Sequence, residues 1–256
     1  EESDYFAGDL PREILCPARD WTPYLPEIEY QKKRNVESNG CVTFAQLNAI
    51  ETILKAKFGV NKNYSERFTM IVSETDPFRG NNPKKVSDAI RHKGLIFETA
   101  LPWDDSIQTI DQLYSPKPMT NDYLFTAKKF LDEYEFSYEY ITTPATPKEE
   151  KDKLLKEHLQ YSPIACSVRA WREENGVYVK HPGEPDNHFC LLIAYEGERP
   201  VVYDTYDSTR KILMEGYPFG WTQRYFIEKK SQPLIPATKS LWEILGICWR
   251  CLRVRT

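Results

Sequence analysis

Ser38-Asn39-Gly40-Cys41-Val42-Thr43-Phe44-Ala45-Gln46-Leu47-Asn48-Ala49-Ile50 is the stretch on which the fold reading turns. From Cys41 to Phe58 the apolar residues Phe44, Ala45, Leu47, Ala49, Ile50, Ile53 and Leu54 fall on more than one side of a helix, and Gly59 is a natural stop. A helix that is apolar round much of its circumference is a buried one. Its first residue is a cysteine. A thiol attacks a carbonyl carbon as the thiolate, and the free N–H groups and dipole of a helix N-terminus favour negative charge. Gly40 before it leaves room for a substrate backbone to approach. Cys41 is therefore a candidate nucleophile, whereas Cys166 and Cys190, set inside apolar strands, read as core packing.

Outward from this helix the chain changes grammar once. Residues 1–40 carry several prolines and no periodicity and read as an extended wrapping segment. Ser65 caps a short helix to Ser73, Asn82-Pro83 opens another that Gly94 ends, and a further helix covers 121–134. Thr146-Pro147 with Glu149 at capping-box spacing starts a charged amphipathic helix that runs to about Gln160 and presents a solvated face. After Pro163 the segments Ile164–Ala170, Gly176–Val179, His188–Tyr195, Val201–Tyr206 and Arg224–Ile227 are rich in Val, Ile, Tyr and Phe and read as strands. The fold class is α+β with two lobes, a helical one over about 20–140 and a sheet lobe over about 141–230. Together they form one domain over 1–230, and 231–256 is an extension that packs on it or begins a further region.

Composition narrows the function. The 256 residues are 41% hydrophobic and 28% charged with a net charge of −4, so the chain can bury a sizeable core and shows no nucleic-acid surface. No apolar run reaches the length of a membrane span. A start at Glu1 and the tail after Ser231 point to a larger parent protein. Six cysteines are too sparse for a disulfide framework, which favours a reducing compartment. Cys248 and Cys251 form a CxxC with no second pair and no nearby histidine, so no metal is expected there. Of the four histidines, His92 and His158 fall near helix C-termini and His181 in a loop. His188 opens a strand beside the loop 182–187, a rigid place for a base.

The motifs around these two residues resemble the papain-like cysteine peptidases. Ser-Asn-Gly-Cys-Val-Thr-Phe-Ala at 38–45 is similar to the family's nucleophile motif, and Asp20-Trp21 to the pair that opens its mature domain. Gly80-Asn81-Asn82-Pro83, Lys93-Gly94-Leu95 and Leu101-Pro102-Trp103 resemble its glycine loop, helix and aromatic ending. Ser-Pro-Ile-Ala-Cys-Ser-Val at 162–168, Gly-Val-Tyr at 176–178 and Asn-His-Phe-Cys-Leu-Leu-Ile at 187–193 resemble its strands, the last carrying the base. His188 follows Cys41 by about 150 residues, the separation of papain-like enzymes. The match spans about 20–228 and implies a papain-like two-lobe fold, with the central helix starting at Cys41 and an antiparallel sheet or barrel carrying His188.

The resemblance also implies roles. Asp204 takes the place of the asparagine that orients the base, accepting from imidazole Nδ1–H, with Asp207 as the competing position; Tyr206 falls where a tryptophan shields the pair. Asn35, six residues before the nucleophile, takes the place of the oxyanion donor, with Gln31 as the alternative if the intervening loop is longer. Gly80, Asn81, Asn82 and Tyr206 would touch substrate. Ser38 replaces a half-cystine, Val42 a tryptophan and Asn81 a glycine. The implied activity is hydrolysis of peptide amide bonds in a peptide or protein substrate by a Cys-His-Asp thiolate–imidazolium mechanism that needs no cofactor. The alternatives are a transglutaminase-like or cell-wall amidase acyl-transfer enzyme of the same broad fold, and a catalytically inactive papain-like binding module.

Overall fold

The computed structural model describes residues 10–182, 185–207 and 209–231. The tail from 232, with Cys248 and Cys251, lies outside them.

Helix α1 spans Cys41–Phe58, with Gly59 at φ 67° closing it by donating its N–H to Lys55 O. Every residue from Val42 to Leu54 is buried, the polar Gln46, Asn48, Glu51 and Thr52 included. Two cores explain this. Leu47, Ile50, Ile53 and Leu54 pack into one that also holds Leu191, Leu192 and Ile193, and Phe44 packs into another with Phe68, Met70, Ile71 and Trp103. Burying such a side chain contributes roughly 1.5–3 kcal/mol of transfer free energy, and α1 does so in both directions.

The helical lobe adds α2 (Glu66–Val72), α3 (Pro83–Lys93), α4 (Ile110–Leu113) and α5 (Asn121–Glu133). Ser65 Oγ accepts from Phe68 N and Asn82 Oδ1 from Lys84 N, and Gly94 donates to Ile90 O. These are the starts and stops expected from the sequence. Helix α6 covers Lys148–His158, but its capping box is absent: the hydroxyl of Thr146 accepts from Thr143 N inside the preceding turn, and Pro147 is the N-cap.

The sheet has strands β3 (Tyr134–Thr142), β4 (Ile164–Val168), β7 (His188–Glu196), β8 (Arg199–Asp204), β9 (Thr209–Ile212) and β10 (Thr222–Lys229), all antiparallel in the order β3-β10-β4-β7-β8-β9. Two small hairpins stand apart, β1 (Lys32–Lys33) with β2 (Val36–Glu37), and β5 (Arg172–Glu174) with β6 (Val177–Val179). The first, β3, β5 and β9 are additions to the sequence reading: two- to four-residue strands carry too little alternation to be seen, and β3 continues directly from α5. Trp21, fully buried, donates from its indole to Leu159 O and from its backbone to Ile193 O, tying the entering chain to the sheet. The two lobes thus meet along α1, which packs on β4, β7 and β10, and the first residue of β7 and the last of β8 border a cavity with its first residue.

Candidate active site

Cys41 heads α1 and is partly exposed, the only one of the four described cysteines that is not buried. Gly40 before it is buried, and a Cβ there would lie 2.4 Å from Met70 Sδ. Its missing side chain makes room for the core rather than for a substrate, which corrects the role read from sequence. Cys166 and Cys190 face each other in register across β4 and β7, fully buried, and burial pushes both thiols up.

His188 is the first residue of β7. Its Nε2 donates to Asp204 Oδ1 at 2.8 Å, and the Cys41 side chain also bears on the ring. The sequence reading gave the Asp204 bond to Nδ1–H; the ring is turned the other way, which leaves Nδ1 for the sulfur. Burial alone would lower the imidazole pKa, but the bond to Asp204 and the neighbouring Cys41 outweigh it and raise it to about 10. Trp171 meets the ring edge-on, 5.9 Å between centroids, and so covers the imidazole from within the sheet lobe.

Asp204 ends β8 and is 2% exposed. Beyond His188 its carboxylate accepts from Tyr206 N at 3.1 Å and pairs with Lys211 Nζ at 2.9 Å. Burial pushes its pKa up, yet the imidazole and the Lys211 ammonium prevail and hold it at about 2. Asp207 instead pairs with Lys211 from a half-exposed position, so it is Asp204 that meets the histidine. Lys211, its side chain only 3% exposed, also lies over the rings of Trp171 and Tyr178. No motif marks Lys211 or Trp171; Lys211 reaches the site through the pairing of β9 with β8, and Trp171 from the segment between β4 and β5.

Asn35 lies in the turn between β1 and β2, exposed and outside the walls of the cavities beside Cys41. Gln31, at the base of that hairpin and 4% exposed, lines the space beside the sulfur. Its Oε1 accepts from Thr205 Oγ1 at 3.1 Å and its Nε2 donates to Glu37 at 3.3 Å, which fixes the amide face and leaves its second N–H free among the described residues. Asn35, six residues before Cys41, sits at the tip of a hairpin whose base brings Gln31 back to this cavity. Ser38 holds that hairpin closed: its hydroxyl donates to Gln31 O at 2.7 Å and its Oγ accepts from Gly40 N at 3.1 Å.

Gly80 and Asn81 line a cavity of about 580 Å³ that opens beside Cys41 and His188. The Asn81 amide is spent on Ser73 and Thr75, so it shapes the loop rather than reaching outward. Asn82 caps α3 and is absent from the cavity walls. Tyr206, 48% exposed, lines a second cavity of about 440 Å³ that also borders Cys41, but the ring against the imidazole is Trp171. Among the described residues no group of His, Cys, Asp and Glu side chains is placed to hold a metal, and no helix is long and apolar enough to cross a membrane.

No protein-family model and no curated protein matches the chain. Solved structures do. Digestive procathepsin L 3 of Tenebrio molitor larval midgut is 15% identical at a TM-score of 0.58, with 85% of this chain and 71% of that one covered. The Amb a 11 cysteine protease of ragweed pollen, in its proform, is 13% identical at 0.54, covering 89% and 69%. The bromelain protease of Ananas comosus, in complex with the E64 inhibitor, is 14% identical at 0.53, covering 82% and 98%. With a helix headed by Cys41 against an antiparallel sheet headed by His188, the chain has the papain-like fold of cysteine proteases.

Proposed function

We propose that the protein is a cysteine peptidase that hydrolyses peptide amide bonds. The observation that carries this reading is the His188 imidazole, held between the Asp204 carboxylate and the Cys41 side chain at a helix N-terminus. A base bonded to an ionised carboxylate keeps its proton, and a protonated imidazole favours a thiolate beside it.

In the first step the Cys41 sulfur forms a bond to the scissile carbonyl carbon and the carbonyl electron pair moves onto oxygen. The Cys41 N–H and the free N–H of Gln31 stabilise that oxyanion, each such donor being worth about 10²–10³ in rate. His188 passes its proton to the departing nitrogen, the C–N bond breaks, and an acyl thioester remains. In the second step His188 takes a proton from water, the oxygen attacks the acyl carbon, and the sulfur leaves as thiolate. Asp204 keeps the ring oriented throughout, and Lys211 balances the charge of Asp204.

Turnover tests this. An unfolded fluorogenic protein should be cut by the wild type and left intact by Cys41→Ala, and rapid acid quench should trap an acyl adduct on Cys41 seen by intact mass. A transamidated amine product, or binding of the unfolded protein with no adduct and no cleavage, would replace peptide hydrolysis by the acyl-transfer or the inactive-module reading.

A further inference from the structure

The two cavities beside Cys41 differ in charge: both share Arg79 and His188, but only the larger has cations in clear excess. Walls of the second hold Glu37, Asp204 and Asp207 against Lys211 and a shared Arg79. The larger cavity, of about 580 Å³, holds Arg79, Lys151 and Lys180 against Asp186 alone. Lys151 is the unusual member. It comes from α6, is 5% exposed, and its ammonium donates to Phe219 O. Among the described residues no carboxylate lies within 4.0 Å of it. An ammonium has three donors and a large desolvation cost, which one neutral carbonyl does not offset. Asp186 does bear on it, but that carboxylate is already engaged, accepting from Ser167 Oγ at 2.7 Å and lying 3.8 Å from Lys180 Nζ.

We propose that this cavity is a specificity pocket for an acidic side chain, Asp or Glu, of a residue flanking the scissile bond, with Lys151 as the residue that selects it. The inference rests on the peptidase reading and deepens it. A substrate carboxylate in this cavity would supply the counter-charge that Lys151 lacks. Gly220 is the place where Asp186 and Ser167 pack against the backbone: a Cβ there would lie 1.9 Å from Asp186 Oδ2 and 2.3 Å from Ser167 Oγ, so the incoming side chain enters away from it.

The experiment compares fluorogenic peptides with Glu and Gln exchanged at each position flanking the cleaved bond, since that pair differs in charge and hardly in shape. At one position kcat/KM should be about tenfold higher for Glu than for Gln. Lys151→Met should bring the ratio to about one, and Asp186→Asn should widen it, which keeps the test intact if the buried lysine proves essential for folding. A wild type that cuts Gln peptides as well as Glu peptides, or a ratio that survives Lys151→Met or narrows in Asp186→Asn, overturns the inference. Rapid alkylation of Cys41 dependent on His188, measured on the same samples, separates the two levels. If it is present without a Glu preference, only the pocket assignment fails; if it is absent and no peptide is cut, the peptidase reading fails with it.

Discussion

Asp204→Asn isolates the charge that holds His188. The asparagine keeps the size and one acceptor for Nε2–H but removes the negative charge shared between imidazole and Lys211 Nζ, 2.8 and 2.9 Å away. In the fold the carboxyl is lowered from 3.8 to about 2, close to two pKa units, or about 2–3 kcal/mol at roughly 1.4 kcal/mol per unit. A depressed carboxylate contributes stability that is fully present above the unfolded pKa and is lost as pH falls through the folded one. The variant should therefore be less stable than wild type by about 2–3 kcal/mol at pH 7 and by about half of that near pH 3. The raised imidazole has the opposite sense: its stabilisation is present below 6.5 and lost as pH rises through about 10. It is the same bond seen from the other partner, so the two are not added. Urea unfolding at a series of pH values reads the difference, and the alkaline limb of the pH–rate profile should move to lower pH in the variant. An Asp204→Asn protein as stable as wild type at pH 7, with an unmoved alkaline limb, would refute the reasoning.

Two further outcomes follow from the same groups. Gln31→Ala should lower kcat by about 10²-fold with little change in KM, whereas Asn35→Ala in the exposed hairpin turn should leave steady-state kinetics unaltered. Away from the cleft, burial pushes the carboxyls of Glu51, Glu66 and Glu98 up, Glu98 to about 7, with Glu29 adding repulsion and Lys33 opposing it at Glu98. Raised carboxyls contribute stability that is complete below about pH 4.5 and lost as pH rises through the folded values, so urea midpoints should fall from pH 5 to pH 8, and Glu66→Gln should flatten that decline.

Much of this was legible in the chain because it rests on local chemistry. Ser65, Asn82, Gly59 and Gly94 mark helix ends through their own hydrogen bonds or backbone freedom, and the Cys41–Phe58 helix follows from apolar residues on more than one side. What the sequence hid depends on contacts between distant segments. Gln31 rather than Asn35 lines the cleft because a hairpin between Gln31 and Ser38 brings the earlier residue back to it. The rotation of His188 is set by Asp204 on β8 and Trp171 beyond β4. The Lys211 counter-charge arrives with β9, a strand of only four residues. At Thr146 a correct capping pattern was present, but a competing turn took its hydroxyl.

The pairing of one partly exposed sulfur with a protonated imidazole is most directly measured by alkylation. Iodoacetamide at neutral pH, followed by peptide mapping, should modify Cys41 at least about a hundredfold faster than Cys16, Cys166 or Cys190, and His188→Ala should remove most of that advantage. Similar rates at all four cysteines, or a Cys41 rate indifferent to His188, would contradict the account.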